Sequence, residues 1–224
     1  TFAGEPGVTM RSMGPAPARP VLRGLSGERL LLLEDGQTAG DLSATSSDHA
    51  VTLDPLSSER IALIRGPAAL TFGPSTLGGV INVERDAIPT PSSGPWRGTL
   101  TAQGQTGASG GASALNLIGN VRTWTTHIDV SARRQADVRT PVGLLANTQL
   151  STYQGLLGVS APLPTGSLGA SAQTYRSSYG IPGGFVGAHP SGVSIAAQKQ
   201  QYGLLWRHQV GSGRVRAASS HLTY

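Results

Sequence analysis

The feature that most constrains the fold is a period-two alternation of mainly apolar and polar side chains between residues 124 and 133. Successive side chains of a β-strand point to opposite faces, so this alternation predicts a strand with one apolar and one polar face. About ten residues also suit a tilted strand that crosses a membrane. The mainly apolar series is Trp124, Thr126, Ile128, Val130 and Ala132. The polar series is Thr125, His127, Asp129, Ser131 and Arg133.

Strand patterns recur over the second half of the chain. Short and long connections alternate between them, as in outer-membrane barrels, but a soluble sandwich gives the same alternation of side chains. Aromatic residues near the strand ends favour the barrel. The predicted strands lie near 97–106, 111–121, 124–134, 148–160, 167–178, 198–209 and 214–224, and the aromatic residues are Trp96, Trp124, Trp206 and Tyr224.

Composition excludes several classes of protein. The 224 residues contain no Cys, which rules out a disulfide scaffold and thiolate metal sites. With 31 Gly, 15 Pro and only 13% charged residues, a turn-rich β protein is favoured over a helical bundle. The net charge of +5 comes from scattered arginines, whereas a nucleic-acid partner requires a basic stripe or cluster. We therefore expect no nucleic acid, and lipid headgroups suit the positive sign equally well.

The first 88 residues follow a different pattern. Short apolar runs at 30–33, 61–64 and 80–83 predict strands, while Asp54 and a segment at 68–72 can begin short helices. Residues 90–95 are rich in Pro and Ser and are typical of a linker. The sequence predicts a small α+β domain over 1–90 and a β domain over 96–224.

Three runs of the first segment carry a family resemblance. Residues 19–25 and 32–36 resemble the plug of TonB-dependent outer-membrane receptors. The longest match runs from Asp54 through Ile64-Arg65-Gly66-Pro67 to Val83. The change of pattern near residue 90 falls where this family passes from plug to barrel.

The resemblance implies a fold and a location. The family fold is a globular plug inside a 22-stranded barrel of the bacterial outer membrane. We expect this chain to be the C-terminal part of an α+β plug followed by the first antiparallel barrel strands, and thus a fragment, because an open sheet edge in lipid leaves polar groups unsatisfied. Expected partners are TonB of the inner membrane, whose contact box is missing, and outer-membrane lipid and lipopolysaccharide.

The resemblance also implies roles for plug residues. Arg23 and Arg65 match plug arginines that pair with barrel carboxylates, which would lie on later strands. A local pair with Glu34 or Glu59 is the alternative for them. The glycines at 24, 66 and 79 serve backbone geometry or close approach. The plug residues assigned here are Arg23, Gly24, Glu59, Arg65, Gly66 and Pro67.

The cargo implied is a scarce nutrient, and zinc or a zinc chelate is the first hypothesis. Asp48-His49 resembles a plug-loop pair of zinc-type receptors, and imidazole and carboxylate suit Zn²⁺. The alternative is that Asp48 closes a turn and His49 is a surface residue. His189, in a long connection, is a candidate capture ligand, although that loop holds no second His and no acid. No resident cofactor is expected.

Other functions stay open at this stage. A ferric siderophore, often bulky and anionic, would suit arginines such as Arg133, Arg134, Arg139 and Arg176, which could equally bind lipopolysaccharide phosphates. An adhesin or structural β-domain without transport is the alternative of another class. An enzyme is not expected: Gly107 to Gly111 spells G-x-S-x-G, but between two strands and not in a strand–turn–helix elbow.

Overall fold

The computed structural model describes residues 6–12, 16, 18–39, 50, 56, 58, 60–73, 76–184, 189–208 and 218–223. These residues form a small N-terminal unit and a long antiparallel sheet. No helix among them is long and apolar enough to cross a membrane.

The N-terminal unit contains two small sheets. One is an antiparallel pair, and the other has four strands in the order β4-β3-β6-β5, in which β3 and β6 are parallel. Two 3₁₀ helices, Gly27–Arg29 and Gly66–Phe72, connect the strands. The strands are β1 (Val8–Ser12), β2 (Ala18–Leu22), β3 (Leu30–Glu34), β4 (Gln37–Thr38), β5 (Arg60–Ile64) and β6 (Gly79–Glu84).

The core of this unit is apolar and small. Leu22, Leu30, Ile81 and Val83 form one buried cluster between the strands. Gly79, at the start of β6, has a φ of +133°, and a Cβ there would lie 2.5 Å from Leu22 Cδ2. Only glycine fits both the backbone conformation and the space.

The second part is one sheet of seven strands in the order β15-β14-β13-β12-β9-β8-β7. Each strand pairs with its neighbour along the chain, apart from a hairpin of two short strands, β10 and β11, inserted between β9 and β12. The strands are β7 (Arg97–Gln105), β8 (Gly110–Val121), β9 (Trp124–Gln135), β10 (Val138–Thr140), β11 (Gly143–Leu145), β12 (Leu150–Leu163), β13 (Gly166–Ile181), β14 (Val193–His208) and β15 (Ala218–Thr223).

The predicted strands correspond closely to those observed, with two differences. β13 continues to Ile181 and β14 begins at Val193, five residues before its predicted start, so the connection expected at 179–197 shortens to 182–192. The connection expected at 135–147 contains the β10–β11 hairpin. In the first segment, the short helix expected at 68–72 is the 3₁₀ helix Gly66–Phe72, and the one expected from Asp54 falls largely outside the described residues.

The two faces of the sheet have the environments that the alternation predicts. Along β9 the polar positions Thr125, His127 and Asp129 are buried against the N-terminal unit, whereas Trp124 and Val130 are exposed. The N-terminal unit thus lies against the polar face, and the apolar face points away from it. The domain limits of 1–90 and 96–224 stay a prediction.

Candidate functional site

The most densely charged contact in the described structure surrounds Arg85. This residue follows β6, and its side chain is 2% exposed. Its Nη1 lies 3.3 Å from Glu34 Oε1 at the end of β3, and its Nη2 lies 2.7 Å from Asp129 Oδ1 on β9. A single guanidinium therefore joins a carboxylate of the N-terminal unit to a carboxylate of the sheet.

A second cation completes the cluster. Lys199 Nζ, on β14, lies 2.8 Å from Glu34 Oε2. The side chains of Gln154 and Gln173 lie against the Arg85 guanidinium, with Gln173 Oε1 3.5 Å from Nη1. Two positive and two negative side chains balance, which is the condition under which charges can be buried at tolerable cost.

Asp35 fixes the backbone that carries Arg85. Its Oδ1 accepts hydrogen bonds from the backbone N–H groups of Arg85 and Asp86, at 2.7 and 3.1 Å. Its Oδ2 accepts a third from Ala87 at 3.0 Å. One carboxylate of the β3–β4 turn therefore holds three successive amides at the start of the segment that leads into β7.

His127 attaches the same segment to the sheet. Asn116 Nδ2 donates to His127 Nε2 at 2.8 Å, so Nδ1 carries the hydrogen and donates to the Asp86 carbonyl oxygen at 2.9 Å. Further along, Ser92 N donates to Thr125 Oγ1 at 2.9 Å. Residues 85–92 are therefore bound to β9 by side chains of its polar face.

The approach between this segment and the sheet is unusually close. A Cβ on Gly158 would collide with the Ala87 carbonyl oxygen, and one on Gly169 would collide with Ile88 Cγ2. Glycine at these two positions of β12 and β13 lets the backbone of residues 87–88 lie directly on the sheet.

Asp86 is the unusual carboxylate of this region. Burial, and then the neighbouring Asp35 carboxylate, raise its pKa, against a smaller lowering by His127. Asp35 and Asp86 line a cavity of about 130 Å³, with Gln173 and Gln201 on the opposite wall. The site combines buried ion pairs with hydrogen bonds to the backbone. These contacts hold the N-terminal unit and the segment after it against the sheet.

Comparison with known proteins identifies these two parts. Residues 1–80 match the TonB-dependent Receptor Plug Domain. The chain carries a TonB-dependent receptor plug followed by barrel strands. The N-terminal unit therefore corresponds to that plug, and the seven-stranded sheet has the fold of the barrel strands in solved outer-membrane receptors. The expected outer-membrane location agrees with both findings. The expectation that the chain is not an enzyme agrees with the match to a receptor plug.

Relatives of known description are receptors for metals or metal complexes. The "Hemin receptor" of Yersinia pestis is 39% identical over 80 residues, which are 35% of this chain and 12% of that protein. The solved "Copper transporter OprC" superposes with a TM-score of 0.76 at 16% identity, over 99% of this chain and 33% of that one. The solved FrpB iron transporter from Neisseria meningitidis superposes with a TM-score of 0.74 at 11% sequence identity. The match covers 99% of this chain and 36% of that one. The chain thus spans about a third of the solved receptors.

The residues predicted to bind metal are not brought together. Asp48 and His49 lie outside the described residues. His189 is exposed, and its Nδ1 accepts a hydrogen bond from Ser191 N at 3.3 Å. Within the described ranges, no three His, Asp, Glu or Cys side chains lie close enough to hold a metal ion. A metal role for Asp48, His49 and His189 stays a prediction.

The plug residues predicted from the resemblance lie away from the Arg85 cluster. Arg23 and Gly24 form an exposed turn after β2, with positive φ at both residues. Arg65 is half-buried and precedes the second 3₁₀ helix, in which Gly66 and Pro67 are exposed. Glu59 falls outside the described residues. Pairing of Arg23 or Arg65 with barrel carboxylates stays a prediction.

Sequence reasoning missed the plug arginine that does meet a barrel carboxylate. Arg85 follows the last plug strand, and Asp129 lies on the polar face of the predicted strand 124–134. Both signals were present: an acid on the plug-facing side of a barrel strand, and a lone lysine, Lys199, on another. Neither signal identifies the residue that Asp129 or Lys199 pairs with, because the pairing depends on how the plug packs against the sheet.

Proposed function

We propose that the receptor containing this chain imports an iron complex, haem or a ferric chelate, across the outer membrane, with TonB supplying the energy. The observation that carries the proposal is the 39% identity of the plug segment to a hemin receptor. The structural likeness to an iron transporter is in keeping with it, although at 11% identity that likeness concerns the fold.

The geometry supports a gated path. The plug is fastened to the barrel wall by the buried pair of Arg85 and Asp129 and by the contact of Lys199 with Glu34. A plug fastened in this way blocks the space beside the wall. Import therefore requires work to displace part of the plug, and an energised partner such as TonB can perform that work.

Zinc has less support as the cargo. The comparisons point to iron, haem and copper receptors. His189 stands alone in its loop among the described residues, so one imidazole is available there and a zinc site needs three or four ligands. Asp48 and His49 remain the residues through which zinc uptake can be tested.

The test is uptake by iron-starved cells that lack their own haem and siderophore receptors and produce this receptor. We expect growth on hemin or on a ferric chelate, and loss of that growth when TonB is deleted or the proton-motive force is dissipated. Iron uptake that persists without energy would contradict TonB-driven transport by this receptor and favour the adhesin or structural alternative.

A parallel measurement separates the cargoes. Radiolabelled zinc uptake is measured in the same cells with the unaltered receptor and with the double variant Asp48→Ala/His49→Ala. Energy-dependent zinc uptake that is lost in the variant, together with no growth on iron complexes, would replace iron by zinc. Iron-dependent growth that the variant leaves unchanged would support the iron proposal.

A further inference from the structure

An outward-facing row of polar and cationic side chains crosses three neighbouring barrel strands. Arg134 on β9, Tyr153 on β12 and Arg176 on β13 are all exposed and all lie on the face turned away from the plug. Tyr153 pairs in register with Arg176 on one side and with Ala132 on the other, two positions from Arg134. We call these three residues the outer row.

The outer row is organised by direct contacts. Arg134 Nε donates to the Tyr153 hydroxyl at 2.9 Å, and Arg134 Nη2 donates to the same oxygen. The guanidinium carbon lies 5.6 Å from the centre of the Tyr153 ring, within cation–π distance. Tyr153 therefore holds the Arg134 guanidinium on the surface of the sheet. Arg176 lies directly opposite Tyr153 on the next strand.

The height of the row matches one boundary of the hydrocarbon layer. Trp124 begins β9 beside the two-residue turn 122–123, and Arg134 lies ten residues further on, next to the long connection 136–149. Ten residues rise roughly 33 Å along a strand, and a tilt of 35–45° reduces this to about 25 Å, the height of the apolar band of such barrels. Exposed Val130 and Leu157 lie between the two levels.

The charge of this face is positive and uncompensated along the strands. Residues 97–208 contain only two acidic side chains, Asp129 and Asp137. Asp129 points to the plug and pairs with Arg85, and Asp137 accepts a hydrogen bond from Thr148 N at 2.7 Å in the outer connection. Along the described barrel strands, then, no carboxylate faces outward at the level of the outer row.

We infer that the outer row binds the phosphate groups of lipopolysaccharide in the outer leaflet. Two strand spacings of about 4.8 Å each and an offset of two residues along the strands separate the backbones of Arg134 and Arg176, a distance that two arginine side chains can bridge around phosphate oxygens. Guanidinium groups bind phosphate through two parallel N–H groups, and the phenol oxygen keeps one guanidinium in place. The inference rests on the outer-membrane location and not on the nature of the cargo.

The test measures binding of lipid A to the receptor purified from outer membranes into detergent and stripped of lipid. Native mass spectrometry gives the dissociation constants of bisphosphorylated lipid A, dephosphorylated lipid A and phosphatidylglycerol. The double variant Arg134→Gln/Arg176→Gln is compared with the control Arg97→Gln/Arg122→Gln, which removes the same charge from two exposed positions at the opposite end of the sheet, the start of β7 and the turn between β8 and β9.

The outer-row variant is expected to bind bisphosphorylated lipid A about 30-fold more weakly, since each arginine near an anionic lipid surface contributes roughly five-fold. Tyr153→Phe is expected to lose about five-fold or less, because it keeps the ring and removes one hydrogen-bond acceptor. The control variant should bind as the unaltered receptor does.

Equal losses in the outer-row variant and the control would reduce the effect to net charge and overturn the inference. It would also be overturned by unchanged binding in Arg134→Gln/Arg176→Gln, or by equal affinity of the unaltered receptor for lipid A and phosphatidylglycerol. Because these residues face lipid and take no part in plug contacts, iron uptake in detergent-free cells tests the proposed function separately.

Discussion

Arg85 of the plug and Asp129 of the third barrel strand form a buried ion pair, with Nη2 and Oδ1 2.7 Å apart. The two residues belong to different parts of the chain, and each side chain is at most 2% exposed. A charge in such a place is stable only while its partner is present, because water cannot replace the partner. The pair therefore reports whether the plug is seated against the wall.

Replacing Arg85 by Gln should loosen the plug strongly. The variant leaves Glu34 with Lys199 and leaves Asp129 buried without its Arg85 partner, and breaking a buried pair on one side costs about 3–5 kcal/mol. Hydrogen exchange of the β6 amides in the receptor should become faster by the factor that corresponds to this loss of free energy.

The matched control for Arg85→Gln is Arg60→Gln, which removes the exposed pair of Arg60 with Glu84 at 3.6 Å. An exposed pair contributes about 0–1 kcal/mol, so this variant should exchange nearly as the unaltered receptor does. If Arg85→Gln behaves like Arg60→Gln, the buried cluster does not hold the plug.

Asp35→Ala should free the segment that follows β6. The variant removes the acceptor of three backbone N–H groups, those of residues 85, 86 and 87, and hydrogen bonds to a charged group contribute about 1.5–3 kcal/mol each. We expect faster hydrogen exchange at these three amides. Glu28→Gln, an exposed acid of the first 3₁₀ helix, is the control and should leave them unchanged. Unaltered protection of the three amides in Asp35→Ala would contradict the assignment.

Gly79→Ala should destabilise the plug through both backbone and packing. At φ +133° an alanine is strained, and its Cβ would lie 2.5 Å from Leu22 Cδ2 and 2.8 Å from the Ile64 carbonyl oxygen. Gly36→Ala supplies the comparison, because Gly36 also has positive φ, +77°, but a Cβ there meets nothing within 4 Å. Gly36→Ala should cost about 1–2 kcal/mol, the penalty of the left-handed conformation alone. A Gly79→Ala receptor whose plug melts at the same temperature as that of Gly36→Ala would show that the space at Gly79 can relax.

Asp86→Asn should stabilise the fastened segment at neutral pH. Burial and Asp35 raise the pKa of Asp86 above its ordinary value of 3.8, so the folded state favours the protonated carboxyl. The contribution of such a group to stability is complete below pH 3.8 and is lost as pH rises through the raised pKa. The neutral amide avoids that loss, and asparagine accepts the positive φ of 49° at this position.

The measurement for Asp86→Asn is hydrogen exchange of residues 85–87 at several pH values, corrected for intrinsic rates. Protection in the variant should exceed that of the unaltered receptor at pH 7, and the difference should vanish near pH 4. A difference that stays constant with pH would show that ionisation of Asp86 is not its cause.

Much of the fold could be predicted from the chain alone. The alternation from Trp124 onward predicted β9 and the environment of both its faces, since a strand has only two faces and water, lipid and plug sort the side chains between them. The short apolar runs at 30–33, 61–64 and 80–83 predicted β3, β5 and β6 nearly to their ends. The hairpin Val138–Leu145 was missed because three-residue strands leave too few alternations to recognise.

The candidate site was less predictable. The sequence by itself determined which residue types face the plug, because period-two alternation places Asp129 and His127 on one side of β9 whatever the partner. Only the tertiary structure decided that Asp129 meets Arg85, that Lys199 meets Glu34, and that Asp35 holds the amides of 85–87. These partners lie 44 to 165 residues apart along the chain. Local secondary-structure propensity carries no information over such distances. The pairing is fixed by the packing of the plug against the polar face of the sheet.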